Sequence, residues 1–116
     1  MSASSRGWYA VRCVFGEVGS ETVDEQGDWT YEERITLWIA DSFDAALSLA
    51  EAEAAQYASA SEVTYLGFAQ VFKLGGKPEE GAEVFSVLRS SDLGPNEYLD
   101  HFFEAGLEHE RIERGQ

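Results

Sequence analysis

Two segments near the start of the chain alternate apolar and polar residues with a period of two. Residues 30–40 place Ile35, Leu37 and Ile39 on one side of the segment. Residues 8–16 follow the same period, and one side carries Tyr9, Val11, Cys13 and Phe15. Because successive side chains of a strand point to opposite faces, both segments are predicted to be β-strands. We expect them to pair as a hairpin across the connection 17–29.

Residues 41–60 carry the period of an α-helix. Their interior holds no glycine or proline, and their apolar side consists of Phe43, Ala46, Leu47, Ala50, Ala54 and Tyr57. Asp41 or Ser42 can cap the first backbone amides, and Asp44 lies in the first turn, where the helix dipole favours a carboxylate. The segment therefore predicts a helix whose alanine-rich side can approach a sheet closely.

Two further strands are predicted at residues 62–74 and 82–90. The connection between them, GGKPEEG, carries the Gly and Pro residues typical of a hairpin loop. Both sides of the segment 62–74 are apolar, so both faces of the sheet are expected to be covered. Residues 94–111 predict a final helix that begins near Pro95. We expect this helix or a second subunit to cover the second face.

The predicted fold is α+β, with a four-stranded, mainly antiparallel sheet and the element order β-β-α-β-β-α. One helix covers one face, and the C-terminal helix or a second subunit covers the other. The helical crossover allows the second and third strands to be parallel neighbours or near neighbours. Residues 1–6 are predicted to be a disordered leader, residues 7–111 a single domain and residues 112–116 a flexible tail.

The charge balance narrows the choice of partners. The sequence has 22 acidic and 8 basic residues, a formal net charge of −14. Phosphate binding needs clustered Lys and Arg, so this balance argues against nucleic acid and against an anionic membrane surface. The negative field would attract a basic protein within a screening length of about 8 Å at physiological salt. Solubility alone, or a high-salt habitat, accounts for the charge equally well.

The single cysteine and the first residues indicate a compartment. Cys13 has no other cysteine to pair with and lies in an apolar alternating run, which fits a buried thiol in a reducing environment. Residues 1–6 are too short and too polar for a signal peptide, and no run approaches the ~20 apolar residues that span a bilayer. A cytoplasmic location is predicted.

Three stretches together resemble a known family. They are WYAVR at the start, EERITLWIADSFDAA from the second strand into the helix, and GAEVFSVL near the predicted fourth strand. Their order and spacing resemble the small bacterial family catalogued as domain of unknown function 4288, over most of residues 7–90. The resemblance implies a compact α+β domain of a bacterial protein. It supplies no activity and no catalytic residues.

No catalytic, metal or cofactor site is predicted. A calcium-loop frame with Gly27 at its sixth position has Thr22 as its first ligand, which is the wrong residue type. His101 and His109 lie eight residues apart on the last predicted helix. At 1.5 Å of rise per residue they are about 12 Å apart, too far to share one ion.

Aromatic and acidic positions are the remaining candidates for a binding surface. Trp8 and Trp38 are expected to share a face with Arg12, Arg34 and Thr36 that the first helix does not cover, where large aromatics beside Arg are typical interface anchors. Burial of both tryptophans under the last helix is the alternative. The predicted partner-binding residues are Glu21, Asp24, Glu25, Asp28 and Trp29 in the acidic connection, Trp8 and Trp38 on the strands, and Glu97, Asp100, Glu104 and Glu108 on the last helix.

These features favour a non-catalytic acidic binding protein of the bacterial cytoplasm that engages a basic protein partner. An immunity-like inhibitor of a cationic toxin, or a mimic of nucleic-acid charge, fits that description. The alternative hypothesis is a small enzyme or ligand-binding domain with a pocket between sheet and helix, either within one chain or at a homodimer seam. A structural homodimer is the third hypothesis.

Overall fold

The computed structural model describes residues 6–17 and 29–103. The elements in chain order are β1 (Gly7–Glu17), β2 (Tyr31–Ala40), α1 (Phe43–Ser61), β3 (Val63–Lys73) and α2 (Pro95–Phe102). The chain divides into two compact units, of which the first ends at Ser86 and the second begins at Val87. The first unit holds the sheet and α1, and the second holds α2.

The sheet has three strands in the order β2-β1-β3, and both outer strands run antiparallel to β1. β2 and β3 therefore run in the same direction on either side of β1, as near neighbours joined by the α1 crossover. The strands predicted at residues 8–16, 30–40 and 62–74 are confirmed, with bounds that differ by at most one residue at each end.

The prediction of a four-stranded sheet is wrong, because residues 82–90 form no strand. After β3 the chain stays close to β1, where the Leu74 N–H donates to the Trp8 carbonyl at 2.9 Å. Phe85 then rests on Phe72, with 5.9 Å between ring centroids, and on Arg12. The chain thus crosses the sheet face instead of turning back along the β3 edge.

The helix predicted at residues 41–60 is confirmed as α1. Ser42 is extended, and its Oγ accepts a hydrogen bond from the Ala45 N–H at 3.0 Å, so Ser42 is the cap. Along the helix, one side consists of small residues that are fully buried against the sheet: Ala46, Ala50 and Ala54. With no bulky side chain between them, helix and sheet approach closely over Tyr9, Val11 and Phe15, the largest fully buried side chains.

Aromatic rings fix the two ends of α1 to the central strand. Phe43 in the first turn meets Tyr9 edge-on, with 5.3 Å between ring centroids. Tyr57 in the last part of the helix meets Phe15 in the same way at 5.1 Å. Such T-shaped pairs contribute attraction beyond that of the apolar area they bury. They therefore help to hold both ends of α1 against β1.

A β-bulge interrupts the pairing of β1 with β3. Cys13 pairs with Ala69 and Phe15 pairs with Tyr65, so one residue of β1 faces three residues of β3. Gly67, the middle residue of the three, has φ +82°, a conformation that side chains other than hydrogen rarely adopt. The bulge therefore separates a short paired run, Val63–Tyr65, from a longer one, Ala69–Lys73.

The final helix is shorter than predicted among the described residues. α2 covers Pro95–Phe102, with Pro95 at its first position as expected. Residues 104–111 of the prediction lie outside the described residues, and so do residues 1–5 of the predicted leader and the predicted tail 112–116.

Replacing Ala50 with Leu tests the close contact between α1 and the sheet. Ala50 is 1% exposed, and added methylenes in a packed core force shifts that cost about 1–3 kcal/mol. We expect Ala50→Leu to lower the free energy of unfolding, measured by urea titration, by that amount. Ala55→Leu, at an exposed position of the same helix, is the matched control and should change stability little. Equal effects of the two variants would contradict the packing described.

Candidate functional site

The side of the sheet that faces away from α1, which we call the open face, exposes large apolar side chains. On β2 these are Ile35, Leu37 and Ile39, which are 45%, 40% and 42% exposed. Leu66 and Phe68, at the bulged end of β3, are about half exposed as well. Soluble monomers seldom leave contiguous apolar surface of this kind without a use for it, and contacts with other proteins are a common one.

Arg12 lies at the centre of the open face. Its guanidinium donates a hydrogen bond to Gln70 Oε1 and lies 3.5 Å from a carboxylate oxygen of Glu33. The Phe85 ring covers it, with the guanidinium carbon 5.0 Å from the ring centroid. The side chain of Arg12 is only 20% exposed, and its Nε is buried without a hydrogen-bond partner among the described residues. The open face is thus apolar around a charge that this chain itself neutralises.

The chain that follows β3 reaches the open face, where Phe85 contacts Phe72 and Arg12. A cavity of ≈ 350 Å³ opens there, lined by Phe72, Leu74, Gly75, Gly76, Lys77, Glu79, Ala82 and Glu83. It is shallow and half open, so it differs from the enclosed apolar pockets that hold small ligands. The space between the sheet and α1 is filled by alanines and by large core side chains.

A row of polar contacts lies at the rim between α1 and the sheet. Arg34 donates two hydrogen bonds to Glu53, at 2.8 and 3.0 Å, and stacks on the Tyr57 ring at 3.8 Å. The Tyr57 hydroxyl donates to Glu32 at 2.7 Å. These hydrogen bonds raise the pKa of Arg34 and of Tyr57, and lower the pKa of Glu53. Bidentate pairing and stacking make this rim a structural feature rather than a reactive one.

Cys13 lies under this rim and is an inert thiol. It is 4% exposed. Burial raises the pKa of the Cys13 thiol, so the thiolate that would act as a nucleophile is disfavoured. Burial, together with a 2.6 Å hydrogen bond to Glu51, also raises the pKa of the neighbouring Tyr65. Both groups hold their protons at neutral pH.

The prediction that Trp8 and Trp38 share a face is wrong. Trp8 pairs with Ile39 and lies on the open face, whereas Trp38 pairs with Tyr9 and lies on the α1 side. In this register, even-numbered residues of β1 share a face with odd-numbered residues of β2. Trp8 and Trp38 both have even numbers, so they lie on opposite faces. Trp38 is part-buried and donates from Nε1 to Thr36 Oγ1 at 2.7 Å.

The acidic candidates are divided between described and undescribed residues. The positions outside the described residues are Glu21, Asp24, Glu25, Asp28, Glu104 and Glu108. Trp29 is described and is 57% exposed. Glu97 and Asp100 are exposed on α2, and Glu97 Oε1 accepts a 3.4 Å hydrogen bond from the Gly94 N–H at the start of its own helix.

The second unit holds a small cluster around Arg89. Its guanidinium lies 4.9 Å from the Phe102 ring centroid and 3.3 Å from the Tyr98 hydroxyl. A cavity of ≈ 440 Å³ beside it is wide open to solvent and is lined by Arg89, Ser91, Leu93, Pro95, Tyr98 and Leu99. The aromatic residues of α2 therefore hold the arginine within their own unit.

Metal and membrane functions gain no support from the described part of the chain. In residues 6–17 and 29–103, no group of three or more His, Cys, Asp or Glu side chains could hold a metal ion. No helix in that part is both long and apolar enough to cross a bilayer.

Sequence reasoning missed how the cations are held. Arg12 lies on Phe85, Arg34 on Tyr57 and Arg89 on Phe102, and Lys73 lies 5.8 Å from the Tyr9 ring centroid. The first of these pairs joins positions 73 residues apart in the sequence, so no local spacing announces it. The only local signal is an arginine in the middle of an apolar strand.

Comparisons of this chain with protein-family models, with curated proteins and with solved structures find no match. The resemblance to the bacterial family of unknown function stays a prediction.

The Arg34–Glu53 pair predicts a pH dependence of stability. Arg34 lowers the pKa of Glu53 from its ordinary value of 4.5, so the folded chain binds that proton less tightly than the unfolded chain does. The stabilisation is present above pH 4.5 and is lost as the pH falls through the lowered pKa. Glu53→Gln should cost up to about 1 kcal/mol at neutral pH, the range of surface ion pairs.

Urea unfolding at a series of pH values checks this expectation. The wild-type and Glu53→Gln midpoints should converge as the solution becomes acidic. Glu80→Gln, a change at an exposed carboxylate outside the rim, is the control and should follow the wild type throughout. A constant difference between wild type and Glu53→Gln at every pH would show that the ion pair does not stabilise the fold.

Proposed function

We propose that this chain is a non-catalytic protein-binding domain whose open face contacts a basic protein partner. The observation that carries the proposal is the exposure of Ile35, Leu37 and Ile39 in one row along β2, continued by Leu66 and Phe68 on β3. Apolar side chains at the centre of a patch, with aromatic residues among them, are the usual anchors of protein interfaces.

The charge distribution supports a basic partner. The cations Arg12, Arg34 and Arg89 are each in contact with a ring of the chain itself, and Arg12 and Arg34 also pair with carboxylates. Most acidic residues of the described part are exposed, and they outnumber its exposed cations, so its surface is predominantly negative. Such a surface speeds encounter with a positively charged protein and disfavours acidic competitors.

In this proposal the chain acts as an immunity-like inhibitor of a cationic toxin, or as a mimic of nucleic-acid charge. In this proposal the acidic connection, with Glu21, Asp24, Glu25 and Asp28, steers the partner, and the open face holds it. Trp8 contributes aromatic surface on that face, and the exposed Trp29 contributes aromatic surface at the end of the acidic connection. Membership of the bacterial family of unknown function and a cytoplasmic location belong to the same proposal.

The alternative hypothesis, an enzyme or ligand-binding domain with a pocket between sheet and helix, has less support. Ala46, Ala50 and Ala54 lie directly against the core of the sheet, and the two cavities described above lie elsewhere. A metabolite panel that raised the melting temperature by several degrees would favour the alternative instead.

Leu37→Asp tests the open face. Proteins retained by the immobilised wild-type chain would be identified, and their binding to variants measured by calorimetry. We expect a protein of high isoelectric point whose affinity falls by about 10-fold or more with Leu37→Asp, because a carboxylate at a desolvated contact has no partner. Leu49→Asp makes the same change on α1, at a residue that is 44% exposed, and should bind normally.

Salt and the acidic connection supply the second part of this test. Neutralising Glu21, Asp24, Glu25 and Asp28 together to the amides should slow association and reduce its salt dependence, because steering acts mainly on the on-rate. A partner that is acidic, that binds equally well at high salt, or that tolerates Leu37→Asp would refute the proposal.

A further inference from the structure

We propose that the outer edge of β2 accepts an extended segment of the basic partner as an additional antiparallel strand. This segment carries apolar residues at alternate positions, followed by Lys or Arg. The inference rests on the proposed function, because it names the part of the partner that the open face binds and the backbone contacts that hold it.

The β2 edge has no strand beside it in the described part of the chain. β2 is hydrogen-bonded to β1 on one side only, and β1 and β3 are already paired with one another. The described residues that follow β3 stay on the β3 side of β1, where the Leu74 N–H donates to the Trp8 carbonyl. The strand that completes this edge therefore has to come from another molecule.

One hydrogen bond identifies which backbone groups of β2 point outward. Because the Trp8 carbonyl accepts from the Leu74 N–H, the backbone groups of Trp8 point towards β3. Successive residues of a strand direct their N–H and C=O groups to opposite edges, so those of Tyr9 point towards β2, where Tyr9 pairs with Trp38. Even-numbered residues of β2 are thus hydrogen-bonded to β1, and odd-numbered residues direct both groups outward.

The outward backbone groups belong to the residues that expose apolar side chains. Ile35, Leu37 and Ile39 are odd-numbered, and each is at least 40% exposed on the open face. An added strand would gain hydrogen bonds and apolar contacts at the same residues. In strand addition, main-chain hydrogen bonds supply affinity and alternate side chains supply specificity.

The β2 edge is also a more regular template than the β3 edge. Every pair from Ala40 to Tyr31 follows one register with β1, whereas the bulge at Gly67 divides the β3 ladder. Residues 35–40 contain no proline and no charged residue. Unpaired edges are commonly blocked by a bulge, a proline or a charge, and this run of β2 has none of them.

The other end of the β2 edge selects a basic segment. Glu33 directs its backbone groups outward and its side chain is 61% exposed, and Glu32 beside it is exposed as well. An antiparallel strand whose apolar residues lie opposite residues 35–39 places its next residues opposite these carboxylates. Opposite charges on facing positions of neighbouring strands attract, so Lys or Arg is favoured there.

A second copy of β2 fits this edge poorly. Registers that oppose the apolar residues of two antiparallel copies put Glu33 opposite Leu37, Ile39 or Asp41. These registers bring a carboxylate against an apolar side chain or against another carboxylate, and both arrangements are unfavourable. Two copies that each carry a formal net charge of −14 also repel one another. The charges therefore favour a basic partner over a second copy.

A synthetic peptide, Val-Thr-Val-Thr-Val-Thr-Lys-Lys-Lys, is the probe for the full chain. Its valines are designed to lie opposite Ile39, Leu37 and Ile35, and its lysines opposite residues 31–33. Two isomers carry N-methyl groups on all the valines or on all the threonines, so they have equal mass and charge. In the proposed pairing the valine amides donate to β2 and the threonine amides face solvent.

The two isomers should bind differently in titrations followed by nuclear magnetic resonance. We expect the valine-methylated isomer to bind at least about 10-fold more weakly than the threonine-methylated one, because only the former loses hydrogen bonds to β2. Equal affinities, weaker binding of the threonine-methylated isomer, or no binding of the unmodified peptide at about 1 mM would each overturn the inference.

Amide hydrogen exchange tests the edge itself. In the free chain the amides of Ile35 and Leu37 should exchange at least about 10-fold faster than those of Thr36 and Trp38. At a peptide concentration about 10 times its Kd, the first two should slow by at least about 5-fold. Slow exchange of Ile35 and Leu37 in the free chain would show that another part of the chain, or a second copy where it depends on protein concentration, occupies the edge. Either result would overturn the inference.

Charge neutralisation tests the basic end of the segment. The double variant Glu32→Gln with Glu33→Gln should bind the unmodified peptide at least about 3-fold more weakly than the wild type. Glu79→Gln with Glu80→Gln is the matched control, because it removes two exposed neighbouring carboxylates outside β2, and it should bind more tightly than the first variant. Equal affinities of the two double variants would refute the placement of Lys or Arg at this end.

The inference and the proposed function fail separately. Isomers that bind equally, together with a captured basic protein that requires Leu37, would overturn strand addition and leave the proposed function standing. Isomers that differ as expected, together with a captured protein that tolerates Leu37→Asp, would confirm the strand-accepting edge and refute the proposed function.

Discussion

The close contact between three alanines of α1 and the central strand is the constraint on which the rest of the structure depends. It brings the helix backbone near enough for Phe43 and Tyr57 to meet Tyr9 and Phe15 at its two ends. A single helix placed in this way covers one face of a three-stranded sheet, and large apolar side chains of the other face stay exposed. The exposed row on β2 is thus a direct consequence of how α1 is seated.

Positive and negative side chains occupy different environments in this chain. Four positive side chains lie against aromatic rings of the chain, where a cation gains from the ring quadrupole: Arg12, Arg34, Lys73 and Arg89. Negative side chains have few cations left to meet and lie mostly at the surface. The net charge of −14 therefore lies mostly at the surface. The apolar open face is part of this acidic surface.

Local patterns in the sequence predicted the three strands and α1 because each depends on the periodicity and capping of neighbouring residues. The Ser42 cap and the alanine stripe were visible in the residues themselves. The fourth strand was predicted wrongly because a strand requires a partner, and residues 82–90 have none within the described chain. The same limit applies to the site: the apolar sides of β2 and β3 were predictable, but the split of Trp8 from Trp38 depends on a register that no local pattern encodes.

The bulge at Gly67 has a consequence for solubility. A regular outer strand invites repeated edge-to-edge addition, which is how fibrils grow. In β3 the three residues opposite a single residue of β1 divide the ladder into two short runs, Val63–Tyr65 and Ala69–Lys73. A strand added to the β3 edge would therefore find only short templates. The bulge thus limits the length of regular edge that β3 offers to another molecule.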